Sequence, residues 1–375
     1  MKILSIEPTP SPNSMKVTVD ETASKGRTYT RENQEEAPGI IRRLLSIQGV
    51  KSVFRVADFL AVERNPRVDW QPILAQVREV FGEETPSADQ EKSSPETKEA
   101  FGEVKVFLQT FRGLPIQIKL VVGDEEKRIA LPDRFAEAVM KAQTASPNMV
   151  MERKWEDRGL RYGDVEQVGK ESVEEITAAY DDERLKELVQ QALEQGAEPV
   201  SATRRVRVTP EMMADPDWRN RYAALEQMNP TLEDLPVLRQ ALEDEKAAIR
   251  RLAVAYLGGL EDPVVLPDLY KALKDPSVTV RRTAGDCLSD LGDPRAIPAM
   301  VEALKDSSKL VRWRAAMFLY EAGDESALPA LREAVNDPEF EVRMQVMMAL
   351  KRIEKGEEAG GSVWQQMTRR NEERP

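Results

Sequence analysis

Five apolar–arginine pairs, Trp218-Arg219, Ile249-Arg250, Val280-Arg281, Val311-Arg312 and Val342-Arg343, recur every 31 residues. Three further columns keep the same register: Pro236, Pro267, Pro298 and Pro329; Asp244, Asp275, Asp306 and Asp337; Leu257, Leu288, Leu319 and Leu350. Chance matches do not stay in phase over so many copies. A unit of 31 residues holds two short helices and is too small to bury its own apolar face, so the units must stack as an all-α solenoid over residues 201–355. Local chemistry agrees. In "LGDPRAIPAMVEALKD" Gly292 suits a left-handed helix end, Asp293 an N-cap and Pro294 a first helical turn, and Asp275-Pro276 repeats the device.

Upstream, the pattern changes. "EETPSADQEKSSPETKEA" is nearly devoid of apolar residues and reads as a linker at 85–100 between a first α+β domain (1–84) and a second small α+β domain (101–200). In the first, "EPTPSPNS" places Pro8, Pro10 and Pro12 on alternate positions, so this stretch is extended and cannot be a central strand. "PGIIRRLLSIQ" predicts a helix stopped by Gly49, "VKSVFRV" and "FLAVER" predict a hairpin turning at Ala57 and Asp58, and Asp69 can N-cap the helix "WQPILAQVREVF". In the second, "VKVFLQTFRGLPIQIKLVV" alternates as a hairpin around Gly113. A helix from Pro132, an irregular "NMVMERKWEDRGLRYGD" and helices near 171–180 and 182–195 follow. Residues 356–375 form a C-terminal tail.

Two absences restrict the chemistry. The 375 residues contain no histidine and a single cysteine, Cys287. That removes Ser-His and Cys-His nucleophile pairs, imidazole bases and ligands, intrachain disulfides and cysteine-rich metal sites. A net charge of −12 argues against unspecific nucleic-acid binding. No apolar stretch approaches the ~20 residues of a membrane span and the start lacks a signal segment, so the expectation is a cytoplasmic protein.

"SIEPTPSPNSMKV", "IRRLLSIQGVKSVFRVADFLAVERN" and "VDW" resemble the N-terminal domain of Nfu-type iron–sulfur scaffold proteins over residues 1–82, with Ser11 where that family usually has Asn. Nfu proteins hold their cluster through a Cys-x-x-Cys in a separate domain, which this chain lacks. The repeats resemble short HEAT-like repeats, as in phycobilisome-lyase-type adaptors. The combined order is similar to the conserved virulence factor C family of Firmicutes, which is associated with control of virulence-factor expression. The resemblance implies an architecture and a loose process, with no reaction.

Each candidate site has a bland reading beside the functional one. Arg250, Arg281, Arg312 and Arg343 could form a phosphate ladder, as in HEAT-like DNA glycosylases. Each also follows an Asp of the repeat by six residues, so pairing between stacked units is favoured. Cys287 shares its register with Tyr256 and Phe318 and reads as a half-buried helix residue. Glu152, Glu156, Asp157, Asp164 and Glu166, mixed with Arg153, Lys154, Arg158 and Arg161, read as a salt-bridged surface rather than a cation or acid/base site. The last repeats carry an apolar stripe, Trp313, Met317, Tyr320, Met344 and Met348, with Arg251 and Arg282 as its polar extension. This stripe is the expected partner groove, unless Trp364 and Met367 of the tail fold back to cover it. "EPTPSPNS" has a structural role as its bland reading, and in the functional one Thr9, Ser11 and Asn13 form a candidate docking edge for an iron–sulfur assembly protein or another partner. The expectation is thus a non-enzymatic adaptor in virulence or stress gene expression, with no catalytic residue, metal or cofactor. An accessory iron–sulfur carrier and a nucleic-acid-binding solenoid are the alternatives.

Overall fold

The computed structural model describes residues 1–9, 11, 13–66, 68–82, 103–123, 125–194 and 207–357. The linker at 85–100, Trp364 and Met367 therefore lie outside the described residues. The chain divides into two compact units. The first holds Met1–Glu103, Val122–Glu125 and Asp337–Gln345, and the second holds Val104–Val121, Glu126–Asn336 and Val346–Pro375.

In the first unit, β1 (Ile3–Pro8), β2 (Ser14–Thr30), α1 (Gly39–Ser46), β3 (Val50–Arg64) and α2 (Trp70–Val80) build an antiparallel three-stranded sheet of order β1-β2-β3 with two helices. Pro8 falls where its chemistry allows, at the end of the edge strand. Met15, Val17 and Val19 alternate inward from β2 onto Ile41, Leu44 and Leu45 of α1 and Trp70, Ile73 and Val77 of α2. Each such side chain contributes roughly 1.5–3 kcal/mol on burial. Gly49 follows α1 with φ 93°, and α2 starts after Asp69, whose side chain makes no cap hydrogen bond.

The hairpin expected at Ala57-Asp58 is not formed. β3 is one continuous strand, and β2 is long enough to pair with both of its halves. Between Thr18 and Ala23 of β2 the partner advances only from Phe59 to Ala57, and Ala57 has φ 46°. The local turn signal is a bulge in a long ladder.

The second unit opens with β4 (Glu103–Phe111) and β5 (Leu114–Val122), joined through Arg112 and Gly113 at φ 50° and 81°, as a two-residue hairpin turn requires. Arg112 is held there by Glu152, with Nε to Oε2 2.7 Å. Then come β6 (Glu125–Ala130), α3 (Asp133–Gln143), α4 (Met149–Glu152), β7 (Arg153–Tyr162), α5 (Val165–Ala179) and α6 (Asp182–Glu194), the sheet order being β6-β5-β4-β7. Most of the segment expected to be irregular is therefore strand β7. Its charged residues hide the alternation that marks a strand, because nearly all of its positions are exposed or half-buried.

The repeats follow as α7 (Trp218–Glu226), α8 (Leu235–Ala241), α9 (Ala247–Gly259), α10 (Leu266–Ala272), α11 (Val278–Leu291), α12 (Ile297–Ala303), α13 (Lys309–Ala322), α14 (Leu328–Ala334) and α15 (Phe340–Glu354), the residues of α15 up to Gln345 being counted with the first unit. The column residues Leu257, Leu288 and Leu319 are fully buried. Gly292 ends α11 at φ 59°, and Asp293 accepts from Arg295 N to start the next turn. Each repeat aspartate accepts the backbone N–H two residues on, as Asp244 from Lys246, Asp275 from Ser277, Asp306 from Ser308 and Asp337 from Glu339.

Candidate protein-interaction surface of the repeats

The second helices of successive repeats carry adjacent arginines, Arg250-Arg251 on α9 and Arg281-Arg282 on α11. Neighbours on a helix point about 100° apart, so the two columns reach different surroundings. Arg250 Nε and Nη2 donate to Asp275 of the next repeat at 2.7 and 2.9 Å, while its Nη1 takes the carbonyl of Asp244. Arg281 does the same with Asp306 and the carbonyl of Asp275. Arg312 and Arg343 take the carbonyls of Asp306 and Asp337.

At the start of the ladder the member is Arg221, not Arg219. Arg221 donates to Asp244 at 2.6 and 2.9 Å and to the carbonyl of Asp215, in the same pattern. The first unit is therefore 29 residues long rather than 31, counted from Arg221 to Arg250. Arg219 is exposed and pairs only locally with Asp217.

The other column meets the α+β part of the same unit. Glu175 of α5, 5% exposed, accepts from Arg161 Nη1 and Nη2 at 3.0 and 2.6 Å, from Arg251 Nη2 at 3.1 Å and from Tyr222 Oη at 3.2 Å. Burial alone would raise its pKa, but Arg251 and Arg161 outweigh it and hold the carboxyl at about 2. Burial and the Glu175 charge push the Tyr222 phenol upward. Beside them Glu226 accepts from Arg158 at 3.2 Å and Arg184 at 2.9 Å. Glu175, Arg161, Arg251, Tyr222, Glu226 and Arg158 line a cavity of about 370 Å³ whose apolar wall includes Val106, Leu108, Ile118 and Leu252. One repeat further, Arg282 is 2% exposed, donates from Nη2 to Tyr162 Oη at 3.0 Å, pairs with Asp286 at 2.8 Å and lies over the rings of Tyr162 and Trp313, at 4.5 and 5.5 Å. The guanidinium thus couples cation–π attraction to an ion pair.

This arrangement accounts for the apolar stripe. Trp313 is 1% and Met317 4% exposed, so these two do not form an open groove. Arg282 and Arg314 lie over the Trp313 ring, at 5.5 and 5.3 Å. Tyr320 and Met348 are half-buried, Met344 packs against the core of the first unit, and the exposed methionine of α15 is Met347. Thr9 accepts from Ser11 N and donates to the Ser14 carbonyl, while Ser11 Oγ and Asn13 Nδ2 both donate to Glu103 Oε2, at 3.0 and 2.8 Å. The docking edge is thus engaged within its own unit.

The carboxylates of 152–166 do not converge. Glu152 pairs with Arg112, Glu156 accepts from Thr110, Asp157 from Gly159 N, Asp164 caps α5 and Glu166 pairs with Lys127. Among the described residues no group of three or more His, Cys, Asp or Glu is placed to hold a metal. Cys287 donates to the carbonyl of Val254, and burial pushes its thiol upward. Glu175 stands in none of the motifs or columns of the sequence. The available signal was its position beside Val168, Ser172, Ile176 and Ala179, a carboxylate on the buried face of an amphipathic helix.

Comparison with known proteins places these parts. Residues 109–189 match the "Virulence factor" family model, residues 3–88 the N-terminal model of scaffold protein Nfu/NifU, and residues 206–278, 235–319 and 297–371 the HEAT repeat model. The chain is 59% identical to the uncharacterized protein YpgR of Bacillus subtilis, covering 98% of each chain. It is 51% identical to conserved virulence factor C of Staphylococcus aureus strain MRSA252, over 99% of this chain and 100% of that one. The crystal structure of Staphylococcus aureus protein SAV1430 matches with 38% identity and a TM-score of 0.21, covering 22% of this chain and 99% of that one.

Proposed function

The chain belongs to the conserved virulence factor C family, and we propose that within it the protein is a non-enzymatic cytoplasmic adaptor in the regulation of virulence or stress gene expression. Its HEAT-like repeats carry the virulence-factor module and partner proteins are recruited to the carried module. The observation that supports this reading is the double seat on one helical surface, Glu175 on Arg251 and Tyr162 on Arg282. A repeat array is a protein-binding device, and here its inner arginines are spent on a folded module of the same chain.

The test is affinity purification of the tagged full chain beside an Arg251→Glu/Arg282→Glu variant, with partners identified by mass spectrometry. The reading expects partners that the wild type retains and the variant loses at equal expression. An unchanged partner set would contradict it. A brown eluate with iron and sulfide would replace it by an accessory role in iron–sulfur assembly, the reading that the Nfu-type match favours.

A further inference from the structure

In the first unit one charged side chain is almost completely buried. Arg64, at the end of β3, is 2% exposed. Its Nε donates to Asn13 Oδ1 at 3.3 Å and its Nη1 to the Val68 carbonyl at 3.1 Å, and the Trp70 ring lies beneath it at 5.1 Å. Asn13 is in turn fixed by Glu103, and its carbonyl accepts from Arg64 N at 2.9 Å. The polar residues after the prolines thus serve to aim a guanidinium. Its remaining nitrogen, Nη2, stands 2.7 Å from Oε1 of Glu341, which is 6% exposed on the first turn of α15.

On either side of that carboxylate, Phe340 and Met344 pack against the core of β2, β3, α1 and α2. Positions i, i+4 and i+1 lie at about 0°, 40° and 100° around a helix, so one turn presents two apolar side chains with the acid at the edge of the same face. Burial lowers the pKa of Arg64, and Glu341 is the first group that opposes it. Socket and turn are therefore complementary in shape and charge.

We propose that the Arg64 socket is a helix-recognition site for a turn of the form apolar–Glu–x–x–apolar, filled in cis by residues 340–344, and that a partner helix of the same pattern must displace this turn to bind. A buried ion pair gives up much of its attraction to desolvation, so it selects a ligand more than it locks one in place. The cis turn is favoured by its high effective concentration rather than by intrinsic strength. The socket does not depend on what the repeats carry, so its failure would leave the adaptor reading standing.

The probe is a fluorescein-labelled peptide of residues 337–354, titrated by anisotropy against full-length wild type, Glu341→Lys, and Glu341→Lys with Arg64→Met. Repulsion between lysine and Arg64 empties the socket, so the peptide should bind Glu341→Lys at least tenfold more tightly than wild type. The added Arg64→Met, or the change Glu341→Gln in the peptide, should cancel that gain. Should Glu341→Lys fail to fold by circular dichroism, the full-length Glu341→Gln chain takes its place with the same expectations. Equal binding to wild type and the opened chain, or binding that ignores Arg64, would overturn the proposal.

Discussion

Arg281 and Arg282 are consecutive residues of α11, yet one ties repeat to repeat and the other ties the repeats to a different module. Arg281 ends on Asp306 and a carbonyl six residues back, in a pattern repeated at Arg221 and Arg250. Arg282 ends on Tyr162, 120 positions away in the chain. The first column is the product of a period and needs only the next copy of the same unit. The second has no period: Arg251 meets a carboxylate, Arg282 meets a phenol, and the following repeat offers Trp313 in the same register. Regular positions hold the solenoid together, and the irregular ones next to them give it something to hold.

Breaking the irregular column should have the larger effect. Glu175→Gln removes a buried carboxylate that keeps Arg161 and Arg251 compensated. A carboxyl carried from its ordinary 4.5 to about 2 accounts for about 3 kcal/mol. Because the folded-state pKa is depressed, this contribution is complete above pH 4.5 and is lost as the pH falls toward 2. Denaturant titrations at pH 7 and pH 3 should therefore show a wild-type advantage over Glu175→Gln that shrinks with acid, and a pH-independent difference would refute the charge assignment.

One step smaller is the ladder. Its partners keep some solvent contact, at 12% and 11% exposure for Arg281 and Asp306, so Arg281→Ala should cost about 2 kcal/mol, below the range for a fully buried pair. The smallest effect sharpens the register: Arg219→Ala should change stability by no more than about 0.5 kcal/mol, while Arg221→Ala should cost as much as Arg281→Ala. The opposite ranking in chemical denaturation would restore a 31-residue first unit.

The same contrast explains what was legible. Helix ends at Gly292 and Asp293, the Gly113 hairpin and the repeat columns are decided by residues within a few positions of one another, and the pattern carries them. Three features depend on distant partners. β3 runs straight through Ala57 because β2 continues beside it. β7 is a strand although six of its ten residues are charged. Trp313 is buried because its neighbours include Arg282, itself covered by Tyr162. The Trp218-Arg219 pair fits the 31-residue count, and only the ladder geometry shows that Arg221 takes the structural place. Glu175 and Glu341 escaped for a related reason, since each reads as one acid among many until its arginine is in view.

The most direct test of the central claim is hydrogen exchange by mass spectrometry on the full chain, comparing wild type with Arg251→Gln/Arg282→Gln. The account predicts that β7 and α5 (153–179) lose protection while α8, α10 and α12 keep theirs. Unchanged protection across 153–179 would mean that the inner arginines do not hold the module on the repeats.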